Sequence, residues 1–396
     1  MSLLNRRNKL YLQLLTRITS GLTGLALAAG AVTPALAQTA PGAASQDSGY
    51  PQTGPISGYM DFHVNARQFE DPVVDFHRFV LLFSHSFSDR IRFTGELEVE
   101  HAFVEGLEQA GELELEQAYI DFLISRRFNV RAGMMLVPIG IINERHEPPV
   151  FNGVERPFVD TVIVPSTWFE SGAGIHGELG TGWRYRAFVM APLDAAEFSA
   201  EEGLRGGRQK GSEAVAHRPS WTGRLEYVGV RGLQAGAGFW TGAANVTFRR
   251  LSSAVRVAEL DARYQRDRLE LRGQYAHVFV KDAAGLNDAV ERQSGVSPNV
   301  ARQLRGFYGE VAYRLWNAGA PRDLVAFARY EDFDTQFRMP AGAVPLDEFD
   351  RHAWVTGITY YPDPDVAVKV DYTRVGNAGA LVRPQHQLNL GLGWWF

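Results

Sequence analysis

The 396-residue sequence contains no cysteine. That excludes disulfide scaffolds, thiolate metal centres and cysteine nucleophiles. Lysine is nearly absent too: beyond residue 37 it occurs only as Lys210, Lys281 and Lys369. Over the same stretch there is no run of about 18 apolar residues, which excludes spanning helices. Basic charge is in the minority. With the four basic side chains of residues 1–37 set aside, 36 basic face 45 acidic ones, a balance that argues against a nucleic-acid partner. The ten histidines show no H-E-x-x-H and no paired ligand spacing, so neither metal nor cofactor is expected. Gly172 to Gly177 matches G-x-G-x-x-G, but no helical pattern follows, and a dinucleotide fingerprint requires one.

What is present starts with an export signal. Arg6, Arg7, Lys9 and Arg17 form a basic region, Ile18 to Val32 a short apolar run, and Ala35-Leu36-Ala37 an A-x-A cleavage site. Residues 1–37 therefore read as a cleaved secretory signal. Residues 38–55, rich in Ala, Gly, Ser, Gln and Pro, read as a flexible lead-in.

The last ten residues alternate in polarity. Leu388, Leu390, Leu392, Trp394 and Phe396 share one face, and Gln387, Asn389, Gly391, Gly393 and Trp395 share the other. Side chains on a strand alternate with period two. An apolar outer face with aromatics at the rim is the pattern of an outer-membrane barrel strand. Leu392, Trp394 and Phe396 are read as the signal recognised by barrel-assembly machinery.

The same alternation recurs from Ile56 onward, and predicts strands over 56–69, 73–87, 91–103, 112–124, 128–137, 171–179, 183–190, 220–228, 232–242, 254–265, 269–280, 304–315, 323–331, 351–361, 366–374 and 386–396. In the fourth, Leu113 and Leu115 occupy one phase and Ala118, Ile120 and Phe122 the other, so a bulge near Glu116 is expected. Connections alternate between tight, such as Ser88-Asp89-Arg90, and long: 104–111, 138–170, 191–219, 243–253, 281–303, 332–350 and 375–385. Short turns at one rim and long loops at the other mark a transmembrane barrel. The expectation is an all-β fold: an antiparallel barrel of about sixteen strands over 56–396, closed by pairing 386–396 with 56–69.

A barrel of that size leaves an aqueous channel. The longest connection, 138–170, carries Pro138, Pro148, Pro149, Pro157 and Pro165 and a net acidic charge. It is expected to fold into the lumen and present Glu144, Arg145, Glu147, Glu155, Arg156 and Asp160 at the constriction. The inward phase predicts Arg92, Glu96, Glu98, Arg131, Arg184, Arg186, Arg224 and Arg272 on the lumen wall. Wall arginines facing loop acids would set a transverse field that tunes selectivity. Asp332, Asp334, Asp347, Glu348 and Asp350 read as a solvated acidic loop. Arg205, Arg208 and Lys210, flanked by Glu201, Glu202 and Glu213, read as a self-neutralised one.

Ala118-Tyr119-Ile120-Asp121-Phe122, Val130-Arg131-Ala132-Gly133, Pro138-Ile139-Gly140, Tyr360-Tyr361-Pro362 and the aromatic end together resemble the phosphate- and polyphosphate-selective porin family. The resemblance implies a sixteen-stranded homotrimer for passive diffusion. Phosphate-selective members share a lysine cluster on the third loop. This loop has none, so substrate selectivity does not carry over. The expected function is diffusion of ions and small hydrophilic solutes, anions such as phosphate among them. Lipid and lipopolysaccharide of a bacterial outer membrane are the expected surroundings. The alternatives are a barrel enzyme, which needs Ser, His or Asp clustered at one rim, and an adhesin using 191–219 and 281–303.

Overall fold

A computed structural model describes residues 56–102, 111–246, 251–316, 322–379 and 383–396. The expected signal and lead-in, and most of the 104–111 connection, lie outside the described residues. Sixteen antiparallel strands follow in chain order: β1 Ile56–Arg67, β2 Val73–Ser88, β3 Ile91–Glu100, β4 Glu112–Ser125, β5 Phe128–Leu136, β6 Phe169–Gly180, β7 Trp183–Met190, β8 Ser220–Tyr227, β9 Leu233–Val246, β10 Leu251–Arg266, β11 Leu269–Val280, β12 Gln303–Arg314, β13 Asp323–Arg338, β14 Asp350–Asp363, β15 Val366–Asn377 and β16 Gln385–Trp395. Each pairs with its sequence neighbours, and β1 pairs with β16, so the sheet closes with no free edge. Closure leaves every strand hydrogen-bonded on both sides, the condition for spanning lipid with strands.

The period-two pattern sorts the faces as expected. Trp221, Leu260, Leu271, Phe307, Val311 and Trp354 point outward and are exposed, while their inward neighbours Arg224, Asp261, Arg272 and Glu310 are buried. Aromatics gather near both rims. Trp183 and Tyr227 meet near the short turns (4.8 Å), and Tyr330 meets Trp354 toward the other rim (4.8 Å). Outward aromatics at both rims match the girdle pattern of membrane barrels.

The closing seam is built by the last residues. Phe396 exchanges backbone hydrogen bonds with Gly58 (2.9 and 3.0 Å) and stacks on Phe79 (6.1 Å between centroids). Gly58 is required there, because a Cβ at this position would run into the Val80 carbonyl and the Phe396 ring.

Two bulges redirect side chains. Across β3 and β4, Glu96 faces Gln117 and Leu97 faces Leu115, so the extra residue is Glu116, where the phase change placed it. Across β1 and β2, Asp61 faces Arg78 and His63 faces Asp75, leaving Phe76 and His77 opposite Phe62 alone. A bulge re-aims side chains, and here it brings His77 beside His63, ring on ring at 4.5 Å.

Three expectations are corrected. β13 runs to Arg338, so Asp332 and Asp334 stand on a strand, not in a loop. Alternation continues through Phe333 and Thr335, both buried, but the intervening acids hid it. The 281–303 connection contains a helix, α1 (Ala283–Ser294), where no helix was expected. Asp282 caps its start by accepting from Gly285 N, Gly295 ends it at φ 79°, and Leu286, Ala289 and Val290 bury one side. Finally, Arg208 donates to the Ser166 and Thr167 carbonyls, Arg205 to Ser166 O, and Lys210 pairs with Glu114. This basic segment braces the 137–168 connection, and is not simply balanced by its own glutamates, although Glu202 does act on Arg205.

Candidate functional site

The 137–168 connection is clipped at its feet by one side chain. Buried Asn143 donates from Nδ2 to Val137 O (2.8 Å) and Trp168 O (3.0 Å), and its Oδ1 accepts from Trp168 N (2.8 Å). Arg208 and Arg205 hold the returning limb. Two tight turns shape the rest: a 3-10 turn at Pro148–Val150, begun by its prolines, and a single π turn at Val159–Ile163.

From there the chain bonds to inward side chains of many strands. Lys369 on β15 donates to Phe151 O (2.8 Å) and Gly153 O (2.7 Å), and Asp371 accepts from Val154 N (2.6 Å). Arg329 on β13 donates to Asn152 O (3.2 Å), while Glu310 on β12 accepts from Asn152 Nδ2 (3.0 Å). On β11, Arg272 donates to Val150 O (3.0 Å), and Gln274 donates to Asp160 Oδ1 (2.8 Å) and accepts from Ile141 N (3.0 Å). Glu331 accepts from Val159 N (3.1 Å) and Glu259 from Gly140 N (3.3 Å). Inward glycines supply room. A Cβ at Gly391 would press on Val154 at 3.1 Å, and one at Gly306 on Ile163 at 2.8 Å.

The expected loop residues divide by environment. Glu144 meets Arg186 on β7 (3.3 Å). Glu155 takes hydrogen bonds from Asn65 (2.8 Å) and lies 3.3 Å from His63, both on β1. Arg156 donates to His146 O (3.4 Å) and Ser166 Oγ (3.5 Å), and Arg145 is half-buried beside them. Glu147 and Asp160 are buried. Burial pushes the Glu147 carboxyl upward and carries that of Asp160 to about 7.

On the wall, arginines pair mostly with wall carboxylates. Arg224 meets Asp261 (2.5 Å) and Glu259 (3.3 Å), Arg272 meets Glu270 (3.1 Å), and Arg131 grips Asp121 with two bonds (2.8 and 2.9 Å). Arg184 approaches Glu226 and Glu178 at 3.9 Å. Glu98 pairs with Arg78 (3.2 Å), Glu96 is sealed beside Gln117, and Arg92 stands near the β2–β3 turn, across from Asp121. The transverse field expected between wall arginines and loop acids is thus reduced to contacts such as Glu144–Arg186.

The inward phase places Asp371 in the lumen, but sequence reasoning missed that it and Lys369 anchor the middle of the connection and that Asn143 ties its base. His63, His77 and His101 converge although their spacing is that of no known ligand motif. Two cavities flank the 149–156 segment, and Phe151 lines both. One, about 360 Å³, lies toward the short turns and is lined by Arg263, Arg268, Arg272, Arg314, Glu270 and Asp323. The other, about 300 Å³, lies toward the long loops and holds Asp61, His63, His77, His101, Glu155 and Arg156.

These features define the porin class of fold. Among solved structures the chain is similar to an anion-selective porin from Comamonas acidovorans, with a TM-score of 0.57 and 12% identity over 86% of this chain and 98% of that one. It is similarly close to the outer membrane channel DcaP of Acinetobacter baumannii, with a TM-score of 0.56 and 11% identity over 86% and 96%. No family model matches the sequence. In sequence it is 36% identical over 327 residues to an uncharacterized protein of Aquifex aeolicus (strain VF5), spanning 81% of this chain and 75% of that protein. The chain belongs to the family of that protein.

Proposed function

We propose that this chain is an outer-membrane porin through which ions and small hydrophilic solutes diffuse passively, with the 137–168 connection folded into the lumen as its constriction. The observation that carries this reading is the set of hydrogen bonds from residues 140–160 to inward side chains of β1, β10, β11, β12, β13 and β15, with a cavity on either side. A loop capping the outside of the long-loop rim would bond to the strand ends there, not to Lys369 and Arg272, which lie in the short-turn halves of β15 and β11.

Selectivity is weak in this reading. The connection carries no lysine, and Arg224, Arg272 and Arg131 already hold carboxylates, so these three wall arginines are not set aside for phosphate. Residues 1–37 act as the export signal, Leu392, Trp394 and Phe396 as the assembly signal, and the barrel assembles as the homotrimer that the family resemblance implies. Conductance of the purified protein in a planar bilayer, with reversal potentials under a salt gradient, tests the proposal. Ohmic steps with a small reversal potential are expected. Absence of steps would overturn the channel, and strong anion preference with block by phosphate would overturn weak selectivity.

A further inference from the structure

We propose that the long-loop-side cavity contains a binding site for a divalent transition-metal cation, with Asp75, His77 and His101 as its protein ligands and an open fourth position toward the lumen. Asp75 Oδ2 lies 3.1 Å from His77 Nδ1 and 2.8 Å from His101 Nδ1. Donor atoms of all three lie within 4.8 Å of one another. Neighbouring donors around a tetrahedral metal with bonds of about 2.0–2.1 Å sit about 3.3 Å apart. Small shifts would therefore admit the ion. With each ring in its Nε2–H tautomer, both Nδ1 lone pairs are free to coordinate, and the carboxylate supplies the anionic ligand.

Two departures from regular strand geometry build the site. The β1–β2 bulge turns His77 inward beside Asp75. At the end of β3, His101 and Ala102 have φ of 52° and 46°. Left-handed conformations of non-glycine residues cost of order 1–3 kcal/mol each and cluster where function requires them. This one folds His101 back, with its N–H donating to His77 O (3.1 Å), so that its ring crosses that of His77 edge-on at 5.2 Å.

Behind the ligands stands a second layer. His63 stacks on His77 and is held between Asp61 (2.8 Å) and Glu155 (3.3 Å). Asp61, His63 and His77 form a further set of donors within 4.8 Å, sharing His77 with the first. The stack fixes the orientation of the His77 ring. Access is open: the His101 side chain is 52% exposed, and the cavity borders His63, His77 and His101. By contrast Glu96, Glu116 and His146 are completely buried, with no route for an ion. Two imidazoles and one carboxylate suit zinc or nickel, while calcium and magnesium prefer oxygen alone.

The test is calorimetric titration of the full-length mature protein, folded in detergent and stripped with a chelator, against zinc chloride. Binding of one zinc per chain is expected, weakened at least about tenfold by His77→Ala and by Asp75→Asn and unchanged by His352→Ala on β14. Heat-modifiable migration verifies that each variant is folded. If His77→Ala fails to fold, His101→Gln at the exposed strand end carries the same prediction. No zinc binding, equal binding in the wild type and the ligand variants, or equal competition by calcium chloride would each overturn the site. Binding in detergent is independent of conductance, so failure of the channel reading and failure of this site are told apart.

Discussion

The two cavities on either side of the 149–156 segment are built from different chemistry. On the short-turn side, four guanidiniums outnumber two carboxylates. They are tied in pairs: Arg263 and Arg272 with Glu270, Arg314 with Asp323. Arginine stays charged at any accessible pH, so the field here is fixed and leans positive. On the long-loop side, four guanidiniums (Arg67, Arg78, Arg156 and Arg205) face three carboxylates (Asp61, Glu100 and Glu155), and three histidines share the space. Histidine is the side chain whose charge changes near neutrality. Both sides thus carry fixed guanidinium charge; the long-loop side adds a set of imidazoles, whereas among the described residues no histidine lines the short-turn side. A passage with unlike mouths should conduct unequally in the two directions.

The largest expected effect comes from removing the partition itself. Lys369→Ala with Asp371→Ala deletes three bonds to residues 151–154. Hydrogen bonds to charged groups are worth about 1.5–3 kcal/mol each, enough to free the segment. Single-channel conductance should then rise clearly, and the directional asymmetry should vanish. Unchanged conductance would mean that the current does not pass this segment.

Next in size are opposite shifts in ion preference. Arg263→Gln with Arg272→Gln should move the reversal potential toward cations, and Glu144→Gln with Glu155→Gln should move it toward anions. Adding Glu147→Gln should contribute little, because burial already pushes that carboxyl upward. Shifts of one sign from both pairs would dissolve the distinction between the cavities.

A smaller effect is on stability. The Asp160 carboxyl titrates near 7 in the folded protein, against 3.8 as its ordinary value, through burial. A raised folded value favours the protonated form, so its stabilising contribution is complete below about pH 4 and is lost as pH rises through about 7. Thermal melting across this window should fall with pH in the wild type and be flat by comparison in Asp160→Asn. Deleting Phe396 should affect conductance least. It should lower the yield of folded barrel, since the Gly58 pairing and Phe79 stacking are lost, while surviving channels conduct normally.

Much of the barrel is legible from alternation alone, because each outward apolar residue such as Leu260 or Val311 marks a phase. The phase jump between Leu115 and Ala118 even locates the bulge at Glu116. The second bulge leaves a similar jump, with Val74 and Phe76 in one phase and Phe79, Leu81 and Phe83 in the other, but Val80 and Leu82 are apolar too and mask it. β13 looks shorter than it is because Asp332 and Asp334 interrupt the pattern, and α1 is hidden because Ala283, Leu286 and Val290 are few apolar residues among polar ones. The length and prolines of the 137–168 connection mark it as special, but its anchors lie far along the chain, from 90 residues away for Asn65 and Glu155 to 217 for Val154 and Asp371. Pairings at that distance have no local signature. The histidine cluster is hidden for a different reason: His63 and His77 on neighbouring β1 and β2 and His101 just beyond β3 are united by the β1–β2 bulge and by the left-handed turn at His101, neither of which their spacing announces.

The absence of native cysteine permits the most direct test. Val150→Cys borders the short-turn cavity and Glu155→Cys the long-loop cavity. Each should react with a charged, membrane-impermeant thiol reagent faster from its own side of a planar bilayer, and each modification should lower single-channel conductance. Reaction of both cysteines with no change in conductance would contradict a constriction formed by the 137–168 connection.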